Sequence, residues 1–262
     1  MIFSIFLAYK LFNWWMKVKG ETPFEYPNIT EWSKKQMEKK KQVRRIFDSI
    51  SKRYDFLNHF LSGGIDFYWR KKALKLSQIN SGTKLLDVAC GTGDFAISAN
   101  KMGINSIIGV DLSLNMLRLF NKKVNWSKGK LVESVAEAMP FKDSSFTHIT
   151  VAFGVRNFYD ILEGFRSFHR VLSSNGKVTV LEFRLPSNIV VRKFYLFYFK
   201  NILPFIGNLV SKDKEAYTYL PESVDDFDAK VDLRELLLEA GFKSVLINEL
   251  TFGIVQVAVA EK

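Results

Sequence analysis

The sequence predicts an α/β fold: a mostly parallel seven-stranded sheet, helices on both faces, and a closing antiparallel strand. Three observations predict it. Short apolar runs of the buried-parallel-strand type alternate with helical periodicity over residues 84–240. The run Lys84-Leu85-Leu86-Asp87-Val88 ends in a small-residue turn, Ala89-Cys90-Gly91-Thr92-Gly93, which opens at once onto a helical pattern. The last apolar stretch, residues 243–260, holds two strands expected to pair antiparallel.

Taken in order, residues 1–19 are mainly apolar, with Lys10, Asn13 and Lys17 on one side of a helical wheel. A helix of ~16 residues is ~24 Å long, short of the ~30 Å hydrocarbon core. The segment reads as an interfacial helix with Trp14 and Trp15 at headgroup level, or as a packing extension. Pro23 and Pro27 mark a linker, so 1–30 form an N-terminal extension and 31–262 the main domain. Residues 33–45 carry a dense Lys/Arg run, a solvated helix face or a membrane-surface contact. Aromatics do not interleave with these charges, which argues against nucleic acid. Two helices around Gly63-Gly64 complete an N-terminal cap over 31–80, with a polar cluster at Tyr54, Asp55, Asn58 and His59.

Beyond the glycine turn, residues 106–111 form the second strand, and Ser113 is the expected N-cap of the next helix. A short strand at 131–133, a loop over 134–141 and a fourth strand at 146–153 follow. The turn after that strand sets Arg156 and Asn157 on the same sheet edge as Asp94 and Asp111. An amphipathic helix at 161–172 and a fifth strand at 176–183 come next; His148 and His169 fit structural positions there. Residues 189–210 are apolar but interrupted by Arg192, Lys193, Lys200 and Pro204, too broken to span a bilayer. They cover the core or form an oily lid, within an insertion over 187–225. A helix at 233–240 stops at Gly241.

Composition narrows the chemistry. A chain of 262 residues, 47% hydrophobic and 25% charged, is long enough for one large core. One cysteine, Cys90, excludes a disulfide framework, and three histidines offer no zinc-ligand spacing. Thirty-eight basic against 27 acidic residues give +11, a surface suited to anionic partners. The turn reads Gly91-Thr92-Gly93-Asp94-Phe95-Ala96, a permitted dinucleotide variant. Yet Asp94 stands at the helix mouth, where a pyrophosphate would meet like charge. Asp111 lies about 20 residues on, the spacing of a ribose acceptor. A ribose-bearing, cationic ligand without phosphates fits both acids, and S-adenosylmethionine is such a ligand. A nicotinamide-dependent oxidoreductase and a non-catalytic membrane-surface scaffold are the competing classes.

Several motifs in this order resemble the class I methyltransferases of quinone biosynthesis, which C-methylate demethylmenaquinol or the related methoxy-benzoquinol. They are Tyr54-Asp55-x-Leu57-Asn58-x-x-Leu61-Ser62, Asp87-x-x-x-Gly91-Thr92-Gly93-Asp94, Phe153-Gly154-x-Arg156-Asn157, Leu181-Glu182-Phe183 and Tyr217-x-Tyr219-Leu220-x-Glu222-Ser223. The resemblance covers residues 40–262, and the Leu-Pro-Glu-Ser variant is similar to the menaquinone branch. It implies S-adenosylmethionine as cofactor, held by Asp87, Thr92, Asp111, Val135 and Ala136, with Gly91, Gly93 and Asp94 around its methionine part. It further implies a polyprenylated quinol as substrate, a cytoplasmic enzyme peripheral to the inner face of the membrane, and no metal. Homodimerisation stays open. Arg156 and Asn157 are expected to hold the quinol oxygen, with Tyr54 and Tyr217 as further catalytic candidates; Arg156 could instead pair with Glu182 or Asp94. Departures are Ser173-Ser174-Asn175 for the usual Lys-Pro-Gly turn, Arg184 after the strand-five Glu, and apolar Val135 in the adenine-side loop. Adenine recognition would then use the backbone of Val135 and Ala136.

Overall fold

The computed structural model describes residues 29–202 and 214–262. Strand β1 (Lys84–Val88) is buried from its second residue on, which explains its unbroken apolar pattern. It pairs in parallel with β2 (Ser106–Asp111) and β4 (Phe146–Ala152). The whole sheet has the order β3-β2-β1-β4-β5-β7-β6, with β3 at Leu131–Glu133, β5 at Leu172–Phe183, β6 at Ser244–Leu250 and β7 at Val255–Glu261. Only β7 runs against its neighbours, pairing antiparallel with both β5 and β6. The predicted mixed sheet with its reversed closing strand is therefore observed.

Helices cover both faces. On one side α2 (Ile65–Leu76), α3 (Asp94–Lys101) and α4 (Leu114–Lys123) bury Trp69, Leu74, Phe95 and Phe120 against the sheet. On the other, α5 (Ile161–Val171) and α8 (Leu233–Glu239) bury Phe165, Phe168 and Leu237. Side chains cap the starts of two helices, Ser113 where the sequence indicates and Asp160 in addition. Ser113 Oγ accepts from Met116 N–H at 3.2 Å, and Asp160 accepts from Glu163 N–H at 3.0 Å. Gly241, at φ 102°, follows α8.

Three elements differ from expectation. Strand β5 starts at Leu172, four residues early, because Phe146 pairs with Leu172 before a bulge, with Asn175 at φ 60°, restores register at His148–Lys177. The 134–141 loop contains a 3₁₀ turn, Ala136–Ala138. Residues Lys214–Lys230 form helix α7 despite Pro221 inside it; the proline's missing N–H hid this helix from a sequence reading.

A long helix, α1 (Ile29–Leu61), precedes the Gly63-Gly64 break, as the two-helix pattern predicts. The chain divides into two units, Met1–Lys39 and Lys40–Lys262. Within the larger unit a third apolar cluster joins Ile46 and Leu57 of α1 to Leu185, Tyr195 and Phe199. Tyr195 lies on α6 (Ile189–Phe197), which passes into a π-helical turn, Tyr198–Ile202. The N-terminal apolar helix, the proline linker and residues 203–213 of the expected lid lie outside the described residues. Among the described residues, no helix is long and apolar enough to cross a membrane.

Candidate active site

The turn after β1 bends through left-handed backbone at Ala89, Gly91 and Gly93, with φ 50°, 54° and 91°. The two glycines serve different ends. A Cβ on Gly93 would lie 2.3 Å from the Phe120 ring, so this glycine lets the turn press onto α4. A Cβ on Gly91 would meet only Tyr54, at 3.8 Å, across open space. Gly93→Ala should therefore cost more than ~3 kcal/mol, combining strain with overpacking, and Gly91→Ala only about 1–2 kcal/mol of backbone strain. Urea denaturation of the two variants checks this ranking.

Three acids surround the turn. Asp111, ending β2, accepts from Gly91 N–H through Oδ2 at 2.8 Å and from Ser113 N–H through Oδ1 at 2.8 Å. Burial raises its pKa to about 6, although those amide bonds pull the other way. Asp87 is almost wholly buried, and accepts from Thr150 Oγ1 at 2.7 Å and Ala96 N–H at 3.1 Å. Burial lifts it to about 7. Its oxygens thus tie β1 to β4 and to α3. Asp94, the first residue of α3, is ion-paired with Lys123 at 2.8 Å and lies 3.6 Å from His59 Nε2 and 3.9 Å from Arg70. Its charge is already compensated. Thr92 is buried, donating to Asp55 and lying 2.9 Å from Lys123 Nζ.

Behind Asp94 the network continues into α1 and α2. His59 Nδ1 lies 2.8 Å from Asp66 Oδ2, Ser62 donates to Asp66 Oδ1 at 2.8 Å, and Arg70 pairs with Asp66. Burial alone would raise the Asp66 pKa, but Arg70 and these hydrogen bonds hold it below the usual carboxylate range.

Two spaces open over the carboxyl ends of the strands. A narrow cleft of about 90 Å³ runs along Gly91, Asp111, Val135, Ala136 and Asn157, roofed by Val43 and Phe47 of α1. A recess of about 30 Å³ beside it is lined by Asp87, Gly91, Thr92 and Asp94. The second space is an apolar cavity of about 420 Å³, walled by α1, α2, α6, Phe153 and Phe183. Tyr54 lines all three spaces, and Phe153 both larger ones.

Arg156, on the 3₁₀ turn Val155–Asn157, lines the apolar cavity. Its Nη1 donates to Glu182 Oε1 at 2.6 Å and to the Phe153 carbonyl at 2.6 Å, while Nε donates to Ser223 Oγ at 3.3 Å. Of the two ion pairs the sequence allowed, the one with Glu182 is formed. Glu182 itself is fully buried. Asn157 Oδ1 accepts from Tyr219 Oη at 2.8 Å. Burial pushes the Tyr54 and Tyr219 hydroxyls above the usual phenol range, so both stay protonated at neutral pH.

The structure thus gathers Tyr54, Gly91, Asp111, Val135, Ala136, Arg156 and Asn157 around the two spaces. Thr92, Asp87 and Asp94 stand at the small recess with their side chains engaged in the protein. Gly93 lines none of these spaces. The side chain of Tyr217 lies outside the described residues. Sequence reasoning missed Tyr219, two residues away in the same motif, and Lys123, whose pairing with Asp55 at 2.6 Å and Asp94 no spacing announces.

The donor set fits S-adenosylmethionine. The cleft offers a carboxylate at the end of β2, a turn whose Gly91 leaves its outer side open, and backbone at Val135-Ala136; among the described residues, Lys40 is its only basic lining residue. Comparison with known proteins agrees. The model of the ubiE/COQ5 methyltransferase family matches residues 34–262. The demethylmenaquinone methyltransferase of Chlorobaculum tepidum is 43% identical over 221 residues, covering 83% of this chain and 90% of that one. The ubiquinone/menaquinone biosynthesis C-methyltransferase UbiE of Geotalea uraniireducens is 42% identical over 231 residues, covering 86% and 98%. Among solved structures, a SAM-dependent methyltransferase from Thermotoga maritima matches with a TM-score of 0.55 at 19% identity, covering 83% of this chain and 99% of that one. These findings set the nicotinamide-dependent alternative aside. The family model over residues 34–262, relatives at this identity and a sheet of this topology make the chain a member of the ubiE/COQ5 methyltransferase family, dependent on S-adenosylmethionine.

Proposed function

We propose that the protein transfers a methyl group to the ring carbon of demethylmenaquinol, giving menaquinol, and that it works peripherally at the membrane holding this substrate. One observation carries the reading: a cofactor-type cleft shares Tyr54 and Phe153 with an apolar cavity of about 420 Å³ that Arg156 also lines. An oily compartment with a guanidinium on its wall suits a prenylated phenol rather than a nucleic acid, in spite of the +11 charge.

S-adenosylmethionine supplies an electrophilic methyl group, so the protein's task is to present a nucleophilic carbon to it. A phenol of pKa about 10 is mostly un-ionised at neutral pH. Losing its proton to solvent water enriches the ring in electrons, a state that Arg156, on the cavity wall, favours by its charge; the ring carbon that takes the methyl group in turn gives up its own proton to water as the aromatic ring is restored. Tyr54 and Tyr219, protonated at neutral pH, donate hydrogen bonds and orient rather than accept the proton. Asn157, fixed by Tyr219, stands on the cleft wall between Gly154 and Phe158. Asp111 and the backbone of Val135 and Ala136 hold the cofactor, and Gly91 brings the turn close to it.

Asp111 and Asp87 give cofactor binding a pH signature. Their folded-state values of about 6 and about 7 exceed the unfolded value of about 3.9. Between pH 4 and 7 the folded state therefore retains protons the unfolded chain has lost, and these groups' contribution to stability falls as pH rises. Binding of a cation favours the ionised acids, so affinity for S-adenosylmethionine should rise from pH 5 to pH 7.5 in calorimetry. A flat profile contradicts this.

Methyl transfer from isotopically labelled S-adenosylmethionine tests the substrate assignment. Label is expected in reduced demethylmenaquinone, with at least ten-fold slower transfer to 2-methoxy-6-polyprenyl-1,4-benzoquinol. The opposite preference would move the protein to the ubiquinone branch.

A further inference from the structure

The elements that wall the apolar cavity also carry large apolar side chains in contact with solvent. On α1, Phe56 and Phe60 stack at 5.5 Å and are each more than half exposed. On α6, Ile189, Phe194 and Phe197 are 68%, 72% and 58% exposed. Between β6 and β7, Phe252 is 81% exposed on a turn whose Thr251 and Phe252 both hold positive φ. Phe194 lines the cavity itself, as do Leu57, Leu61, Tyr198 and Thr251, the chain neighbours of the other aromatics. Outward aromatics so close to an internal apolar space mark an interaction surface rather than scattered surface residues.

Charge and cavity together select the partner. Exposed Lys71 and Lys72 follow the cavity-lining Arg70 on α2, and exposed Arg192 and Lys193 sit between Val191 and Phe194 on α6. Apolar side chains bordered by cations bind an interface through buried area and attraction to anionic headgroups. A protein partner seated there would close the border at the cavity-lining Phe194 to a prenyl tail, whereas a bilayer would set hydrocarbon beside it. Resting on the quinol reading above, we infer that the rim formed by Phe56, Phe60, Ile189, Phe194, Phe197 and Phe252 inserts into an anionic lipid bilayer, so that the substrate tail passes sideways from hydrocarbon into the cavity.

The test is flotation of the full-length protein with vesicles of phosphatidylglycerol and phosphatidylcholine, or of phosphatidylcholine alone. The substituted chain is Ile189→Ser/Phe197→Ser/Phe252→Ser, since none of these three lines the cavity. Wild type should float with the anionic vesicles. The triple variant should partition at least ten-fold less, yet methylate a short-chain, water-soluble naphthoquinol at the wild-type rate. Equal flotation of both chains would overturn the inference and place any membrane contact elsewhere, as in the N-terminal apolar segment. A change in sedimentation from dimer to monomer, with vesicle binding unaltered, would also overturn it, making the rim an interface between copies. If wild type floats, the variant does not, and neither methylates any naphthoquinol, the docking face stands and the substrate assignment falls.

Discussion

Asp111→Ala should weaken S-adenosylmethionine binding about 100-fold, close to 2.7 kcal/mol. The side chain has two duties. One oxygen holds Gly91 N–H and the other Ser113 N–H, so its loss frees the cofactor turn from the end of β2. The same carboxylate lines the cleft, and a charge-assisted hydrogen bond to a ligand hydroxyl contributes ~1.5–3 kcal/mol. Ser113→Ala is the control for local stability, because its backbone N–H still reaches Asp111. It removes the cap on Met116 N–H, costing about 1 kcal/mol of stability, and keeps the acid. Calorimetric titration should show nearly normal affinity in Ser113→Ala and a collapse in Asp111→Ala. Equal affinities would show that Asp111 does not touch the cofactor.

Arg156→Ala should lower turnover by about 10³-fold, the scale of losing one charge-stabilising group. It should also destabilise the fold by ~3–5 kcal/mol, because Glu182 would be left buried and unpaired. A dead variant could thus be a misfolded one. Arg156→Gln/Glu182→Gln keeps a hydrogen-bonding pair of similar size and removes both charges. That double variant should recover most of the stability and bind S-adenosylmethionine normally while remaining inactive. Recovered turnover would reduce Arg156 to a structural partner of Glu182.

Much of this site was legible because sheet topology fixes it. An apolar run, a glycine turn and an acid about 20 residues on place Gly91 and Asp111 together wherever β1 and β2 are adjacent and parallel, and they are. Arg156 followed from the same logic, since β4 neighbours β1 and ends at the same edge. Pairings across distant segments were not legible. Asp94 looks like a bare carboxylate until Lys123, His59 and Arg70 converge on it from three helices. Tyr217 and Tyr219 are equivalent in a linear motif; only the helix around Pro221 brings Tyr219 to Asn157. The two glycines of the turn likewise look alike, and only Phe120 separates packing from ligand approach.

The most direct measurement is a crystal structure with S-adenosylhomocysteine and a short-chain naphthoquinol bound together. The cofactor product should lie along Gly91, Asp111 and Val135-Ala136, with the quinol ring in the apolar cavity beside Arg156 and its reacting carbon facing the sulfur. A quinol seated outside that cavity, or a cofactor product away from the Gly91 turn, would contradict the account.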